Sequence, residues 1–239
     1  MSLNRLGGSL AILLLLAGCG DAVAPSAVPD PAPHFVRWAP TTATLAAVGG
    51  RVHLAGGPVS LASAPVPEGF GTSWAATSSR LTWLHPVGVT ANRLLVVGVS
   101  IKDSASTVTA VTYGGVPLTF LGAGGADDQS ARVELWYLTA PASGWAPISV
   151  SLSGTTDVIG GAMTFSGVDQ AMPLGGFVAS GSTGNGAADP AVVVTNAGGE
   201  LVLAALAVVG NPGLLMPAAG QQQKWIRFRG SSMSGAGAI

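Results

Sequence analysis

Ile148-Ser149-Val150-Ser151-Leu152-Ser153 alternates apolar and hydroxyl side chains without a break. Successive side chains of an extended chain point to opposite faces, so Ile148, Val150 and Leu152 are predicted to face a core and the serines to face away. On either side of this stretch, short runs rich in β-branched and aromatic residues recur, each closed by Gly, Pro, Asn or Asp. They are Arg80 to Val87, Arg93 to Ile101, Thr107 to Tyr113, Pro117 to Leu121, Ala131 to Leu138, Val158 to Phe165, Ala191 to Thr195, Leu201 to Val209 and Lys224 to Phe228. No segment carries the period of a long amphipathic helix. Short strands at this spacing, with turn signals between them, predict an all-β fold: an antiparallel β-sandwich of jelly-roll or immunoglobulin-like kind.

Two runs are apolar almost throughout, Arg93 to Ile101 (RLLVVGVSI) and Leu201 to Val209 (LVLAALAVV), which predicts central strands covered on both faces. Gly114-Gly115 and Asn196-Ala197-Gly198-Gly199 are placed for tight hairpins, because Gly and Asn tolerate positive φ. Trp83 and Trp136 lie within apolar runs and are predicted to be core.

Charge is sparse and balanced, with 10 Lys and Arg against 11 Asp and Glu in 239 residues. Without a concentrated basic patch there is little to release counterions from phosphates, which argues against a nucleic-acid partner. Length alone suits one sizeable β domain or two small ones. The single cysteine excludes an intramolecular disulfide, so the fold is held by its core.

That cysteine sits in Leu16-Ala17-Gly18-Cys19, after a short n-region with one positive charge, Arg5, and an apolar run from Leu10 to Leu16. The run is too short to span a bilayer, which takes roughly 20 apolar residues, and has the form of an export signal. Ordinary cleavage after Ala22-Val23-Ala24 would place Pro25 next to the cut, where proline is disfavoured. LAGC resembles the lipobox of bacterial lipoproteins. The resemblance implies cleavage between Gly18 and Cys19, a diacylglyceryl thioether on the Cys19 sulfur, and acylation of the freed amine. Each buried methylene of an acyl chain contributes about 0.8 kcal/mol, and more than one chain is needed for stable anchoring. The expected location is the bacterial cell envelope, lipid-anchored and facing periplasm or exterior, at the outer membrane in a diderm host.

The expected organisation is therefore a signal peptide at 1–18, a Pro/Ala-rich tether at 19–34, an undecided linker or added hairpin at 35–78, and a β-sandwich at 79–239. Within the last region, NRLLVVGVS (Asn92 to Ser100), VTYGGVPLT (Val111 to Thr119), VELWYL (Val133 to Leu138) and GAMTFSGVDQAMPLG (Gly161 to Gly175) resemble a β-sandwich module repeated in secreted and surface proteins of bacteria. The resemblance implies a place beside adhesion-like or carbohydrate-active domains and carries over no catalytic residues. The module normally continues past a Trp-containing segment like Lys224 to Phe228 into closing strands, whereas here a new apolar stretch begins at Ala236 and Ile239 is last. Either the sequence is truncated or the sandwich closes differently. An unfilled strand position would leave an edge open to another chain.

Chemistry is thinly signalled. There is no G-x-S-x-G elbow, and His34, His53 and His85 form no set with a nucleophile; His85 is predicted to be a strand-end residue bonded to nearby backbone. A glycosidase needs two facing carboxylates, and only Glu134 with Asp157 or Asp169 offers a pair. Glu200, Asp103, Asp127, Asp128 and Asp189 read as turn residues, with Arg132 a partner for Glu134. No motif implies a cofactor. No metal site is predicted beyond weak calcium ligands at Asp127 and Asp128 in GAGGADDQS.

The aromatic residues say more. Trp145 lies in the turn-like Ser143-Gly144-Trp145-Ala146-Pro147, where an indole either caps the core or faces a ligand. In Lys224-Trp225-Ile226-Arg227-Phe228-Arg229, alternation sends Ile226 and Phe228 to one face and Trp225, Arg227 and Arg229 to the other. With the first pair buried, the second face would present an indole and two guanidinium groups to sugar rings or anions. The alternative packs Trp225 under an edge or loop and leaves the arginines solvated. The expectation is a non-enzymatic binding or structural module, with polysaccharide or another envelope protein as partner. The alternatives are a carbohydrate-active hydrolase on the same sandwich and an assembly subunit that pairs through an open edge.

Overall fold

A computed structural model describes residues 9–14, 34–36, 48–52, 65–126, 128–182, 192–194, 200–210, 215, 217 and 220–239. Among them every regular element is a strand: β1 (Ser9–Leu14), β2 (His34–Val36), β3 (Val48–Val52), β4 (Val66–Val87), β5 (Leu94–Ile101), β6 (Val108–Tyr113), β7 (Val116–Pro117), β8 (Thr119–Gly125), β9 (Arg132–Thr139), β10 (Gly144–Ser166), β11 (Phe177–Ser182), β12 (Val192–Val194), β13 (Leu201–Val209), β14 (Gln223–Arg229) and β15 (Met233–Ala238). One sheet runs β1-β11-β3-β13-β15-β14, a second runs β7-β6-β10-β5-β9-β8 with β4 also on β10, and β12 pairs with β2. The pairings are antiparallel apart from β1 with β3, and the all-β expectation holds.

The alternation at Ile148, Val150 and Leu152 is realised: all three are buried. So is the two-faced burial of β5. Leu94 and Val96 enter a core shared with β13, β15 and Trp225, while Leu95, Val97, Val99 and Ile101 enter a second core with Leu81, Trp83 and Tyr113. β13 is likewise buried from Leu203 to Val208. Gly114 and Gly115 make the β6–β7 turn at φ 56 and 86, where a Cβ would be strained.

Sequence pattern divided Ile148–Leu152 from Val158–Phe165, but β10 is one strand of 23 residues beside the 22-residue β4. Their register shifts between Ser151 and Thr156. A bulge bends a strand without ending it, and here it carries β10 from a pairing with β6 to one with β5. Residues 66–78, undecided from sequence, are the first half of β4 and pair with β10 from Thr156 to Ser166.

At the two ends of the chain, strand formation goes beyond the sequence reading. The apolar run of the expected export signal overlaps β1, which pairs with β11 and β13 in the full chain. Met233–Ala238 forms β15, laid between β13 and β14. Gly18, Cys19 and most of the tether lie outside the described residues, as does the hairpin expected at 196–199.

Candidate functional site

The second half of β4, the first half of β10 and β6 form a ribbon with one face sealed and the other free. Leu81, Trp83, Ile148, Val150, Val111 and Tyr113 point into the second core. Alternation then puts their neighbours on the outward face. Register aligns Thr82 with Ser149, Ser149 with Thr112 and Thr112 with Pro117, a row crossing four strands. A parallel row runs from Arg80 through Ser151 to Ala110. At the other end Leu84 faces Pro147, and Pro86 faces Trp145. Trp145 is 70% exposed and Leu84 58%.

Trp145 is thus on a strand, near the start of β10, rather than in a turn. Its indole stands beyond the Leu84–Pro147 pair, four residues along β10 from Ser149, whose Oγ lies 3.4 Å from Thr82 Oγ1. An indole offers an apolar plate to the C–H face of a sugar ring, and hydroxyls farther along the same face supply donors and acceptors for other units of an extended chain. The support below is fixed. Trp83 Nε1 donates to Thr72 Oγ1 (2.9 Å), and the Tyr113 hydroxyl donates to the carbonyl of Gly144 (2.9 Å), the residue before Trp145. Burial pushes the Tyr113 hydroxyl pKa up, so it remains a donor.

Trp225 does not join such a face. It is 4% exposed, wedged between the two sheets on a seat of glycines. A Cβ on Gly161 would lie 2.1 Å from its Cδ2, one on Gly237 2.1 Å from its Nε1, and one on Gly98 3.3 Å from its ring. Alternation was right and exposure was not: the face shared by Trp225, Arg227 and Arg229 turns inward at the indole and passes over β4 at the arginines. Arg227 Nε donates to Ser73 O and Oγ, and Arg229 donates to Thr77 Oγ1 (2.7 Å). Arg229 also approaches Asp157 Oδ1 at 3.6 Å. Both guanidinium groups therefore tie β14 to β4. Burial would raise the Asp157 pKa, but hydrogen bonds from Ser232 and Thr77 and the charges of Lys102 and Arg229 together hold it below the usual carboxylate range.

Glu134 is buried and taken up within its own neighbourhood: its carboxylate accepts from Arg132 Nε (2.7 Å), the Val108 N–H (3.1 Å) and Trp136 Nε1 (3.3 Å). Trp136, expected in the core, is half-buried under Phe120, with ring centroids 5.1 Å apart. His85 is buried and bonded to side chains instead of the backbone expected. Its Nδ1 meets Thr72 Oγ1 at 2.7 Å and its Nε2 meets Thr164 Oγ1 at 2.8 Å. Burial lowers its pKa to about 4, so the ring is neutral near pH 7. Asp128 Oδ1 caps its own turn through Ser130, and Asp127 lies outside the described residues.

No protein-family model, curated protein or solved structure matches the chain. The outward hydroxyl rows escaped sequence reading because they arise from pairing between segments distant in the chain. The signal was present only in part: Ser149 and Ser151 were placed away from the core, with no indication that Thr82 and Thr112 stand beside them.

Proposed function

We propose that the protein is a non-enzymatic, lipid-anchored module of the bacterial cell envelope that binds polysaccharide on the outward face of β4, β10 and β6. The observation that carries the binding reading is Trp145, 70% exposed on the same outward face as the Thr82–Ser149–Thr112 row, on a sheet packed firmly from behind. Exposed indoles on rigid strands lose little freedom on binding, and hydroxyls on the same face fix orientation. The anchor rests on the apolar run and the lone Cys19.

Binding is tested on a polysaccharide array with the wild-type protein, Trp145→Ala, and a Thr82→Val/Ser149→Ala pair. Loss of signal in both variants is expected; undiminished binding by Trp145→Ala disposes of the site. Release of new reducing ends from a bound polysaccharide would replace this reading with the hydrolase one. For the anchor, Cys19→Ser is expected to leave unlipidated precursor, and normal membrane retention of that variant refutes it.

A further inference from the structure

The outward face of β4, β10 and β6 changes character along its length. Leu84, Pro86, Trp145 and Pro147 make one end apolar, the Thr82–Ser149–Thr112 row follows, and at the other end Arg80 faces Ser151. Trp145 and Ser151 are six residues apart on β10, which puts the indole and the cationic end roughly 20 Å apart along the strand. Arg80 is exposed, and only its backbone N–H is taken up, by Ser78 Oγ; its guanidinium makes no hydrogen bond or ion pair with a described residue. Among the described side chains it differs in this from Arg93, Lys102, Arg132, Lys224, Arg227 and Arg229, each of which is bonded within the chain. No acidic residue occurs in 80–87, 108–117 or 144–152, the segments that build the face, so the charge of Arg80 is uncompensated there.

We propose that the polysaccharide taken by this face carries carboxylate groups spaced among neutral sugars, one carboxylate pairing with Arg80 while a neutral ring stacks on Trp145; the inference rests on the polysaccharide reading above. The planar guanidinium fork matches the two oxygens of a carboxylate, and the Ser151 hydroxyl across the strand pair offers a further donor. The lone cation also limits how much charge the ligand brings. A chain with an acid on every sugar would lay further anions over Leu84, Pro86 and Pro147, which have no side-chain donor to meet them, and desolvating those anions would oppose binding. Nucleic acid and anionic bilayers recruit several cations at once, and this face has one. With its acid-pairing group at one end and its apolar plate at the other, the face selects the register and direction in which such a chain lies.

The test titrates the full chain with hyaluronate, in which acidic and neutral sugars alternate, with polygalacturonate, in which every sugar is acidic, with the carboxyl-reduced form of each, and with neutral dextran and xylan. Hyaluronate is expected to bind about tenfold more tightly than its carboxyl-reduced form, the usual effect of one hydrogen bond to a charged group, and more tightly than polygalacturonate. Added salt should shrink that preference, because an exposed ion pair is screened. Arg80→Gln is expected to abolish the preference and Arg80→Lys to restore part of it, whereas Trp145→Ala should weaken binding of both forms in the same proportion. Arg80 is exposed, so its variants should keep the wild-type melting temperature. Equal binding of hyaluronate and its reduced form, a preference that survives Arg80→Gln, tightest binding of polygalacturonate, or binding of neutral polymers alone overturns the proposal and leaves the polysaccharide reading standing. Failure of the wild-type chain to bind any of these polymers or any member of the polysaccharide array defeats that reading, and this inference with it.

Discussion

Trp225 and Trp145 are chemically the same side chain near strand ends, both suggested by sequence as ligand residues, yet their surroundings give them opposite work. Trp225 sits where three strands have given up their side chains, at Gly98, Gly161 and Gly237, so that an indole fits between two sheets. Trp145 sits where the facing and flanking positions keep their side chains, Pro86 across from it and Pro147 two residues on, and its indole is 70% exposed. The difference lies in the neighbours: missing Cβ atoms make a seat for Trp225, and prolines occupy the positions around Trp145.

The contrast breaks first at the seat. Trp225→Ala should lower unfolding free energy by about 3–5 kcal/mol in urea titration, the usual range for a buried Trp. Gly161→Val should cost about 3 kcal/mol or more, since even its Cβ would overlap the ring. Combining Gly161→Ala with Trp225→Ala should cost clearly less than the two single changes together. Strict additivity would mean the glycine does not serve the indole.

Next in size is acid. The His85 pKa is lowered in the fold from 6.5 to about 4, so the unfolded chain binds the extra proton more readily. Its contribution is whole above about pH 6.5 and declines as pH falls toward 4, by about 3 kcal/mol over that window. Melting temperature followed from pH 7 to 4 should fall, and His85→Gln should flatten that slope; an unchanged slope would remove His85 as its source. Glu134→Leu should cost about 1–3 kcal/mol by leaving Arg132 and the Val108 N–H without their acceptor. Denaturation at neutral pH reads this directly.

The smallest effect on stability belongs to the exposed indole. Trp145→Ala should stay within about 0.5 kcal/mol of wild type, as exposed substitutions do, while polysaccharide binding is lost. A large loss of stability there would erase the distinction between the two tryptophans.

Local pattern made the strand faces legible: alternation at Ile148, Val150 and Leu152, continuous apolarity in β5 and β13, and the Gly114-Gly115 turn. Pairing was not legible, because register links residues far apart. The sequence around Ser153-Gly154 looked like a strand end, yet a bulge there bends β10 and lets it continue. The Trp225 seat depended on glycines from β5, β10 and β15 converging, which no window of sequence contains. The Leu10–Leu16 run is ambiguous for another reason: seven apolar residues without periodicity satisfy an export signal and a buried strand equally well. Trp145 was conspicuous in the sequence, and the row that shares its face became visible only with the Thr82–Ser149–Thr112 alignment.

Gly160 and Gly161 are consecutive on β10, so they open onto opposite faces of one strand. A Cβ on Gly160 would lie 2.5 Å from the Trp83 ring, and one on Gly161 2.1 Å from that of Trp225. Two tryptophans thus rest back to back on a single bare stretch of backbone, one in each core. Neither core can loosen without disturbing the wall it shares with the other, so heat should melt both in one cooperative transition, with matching calorimetric and van't Hoff enthalpies.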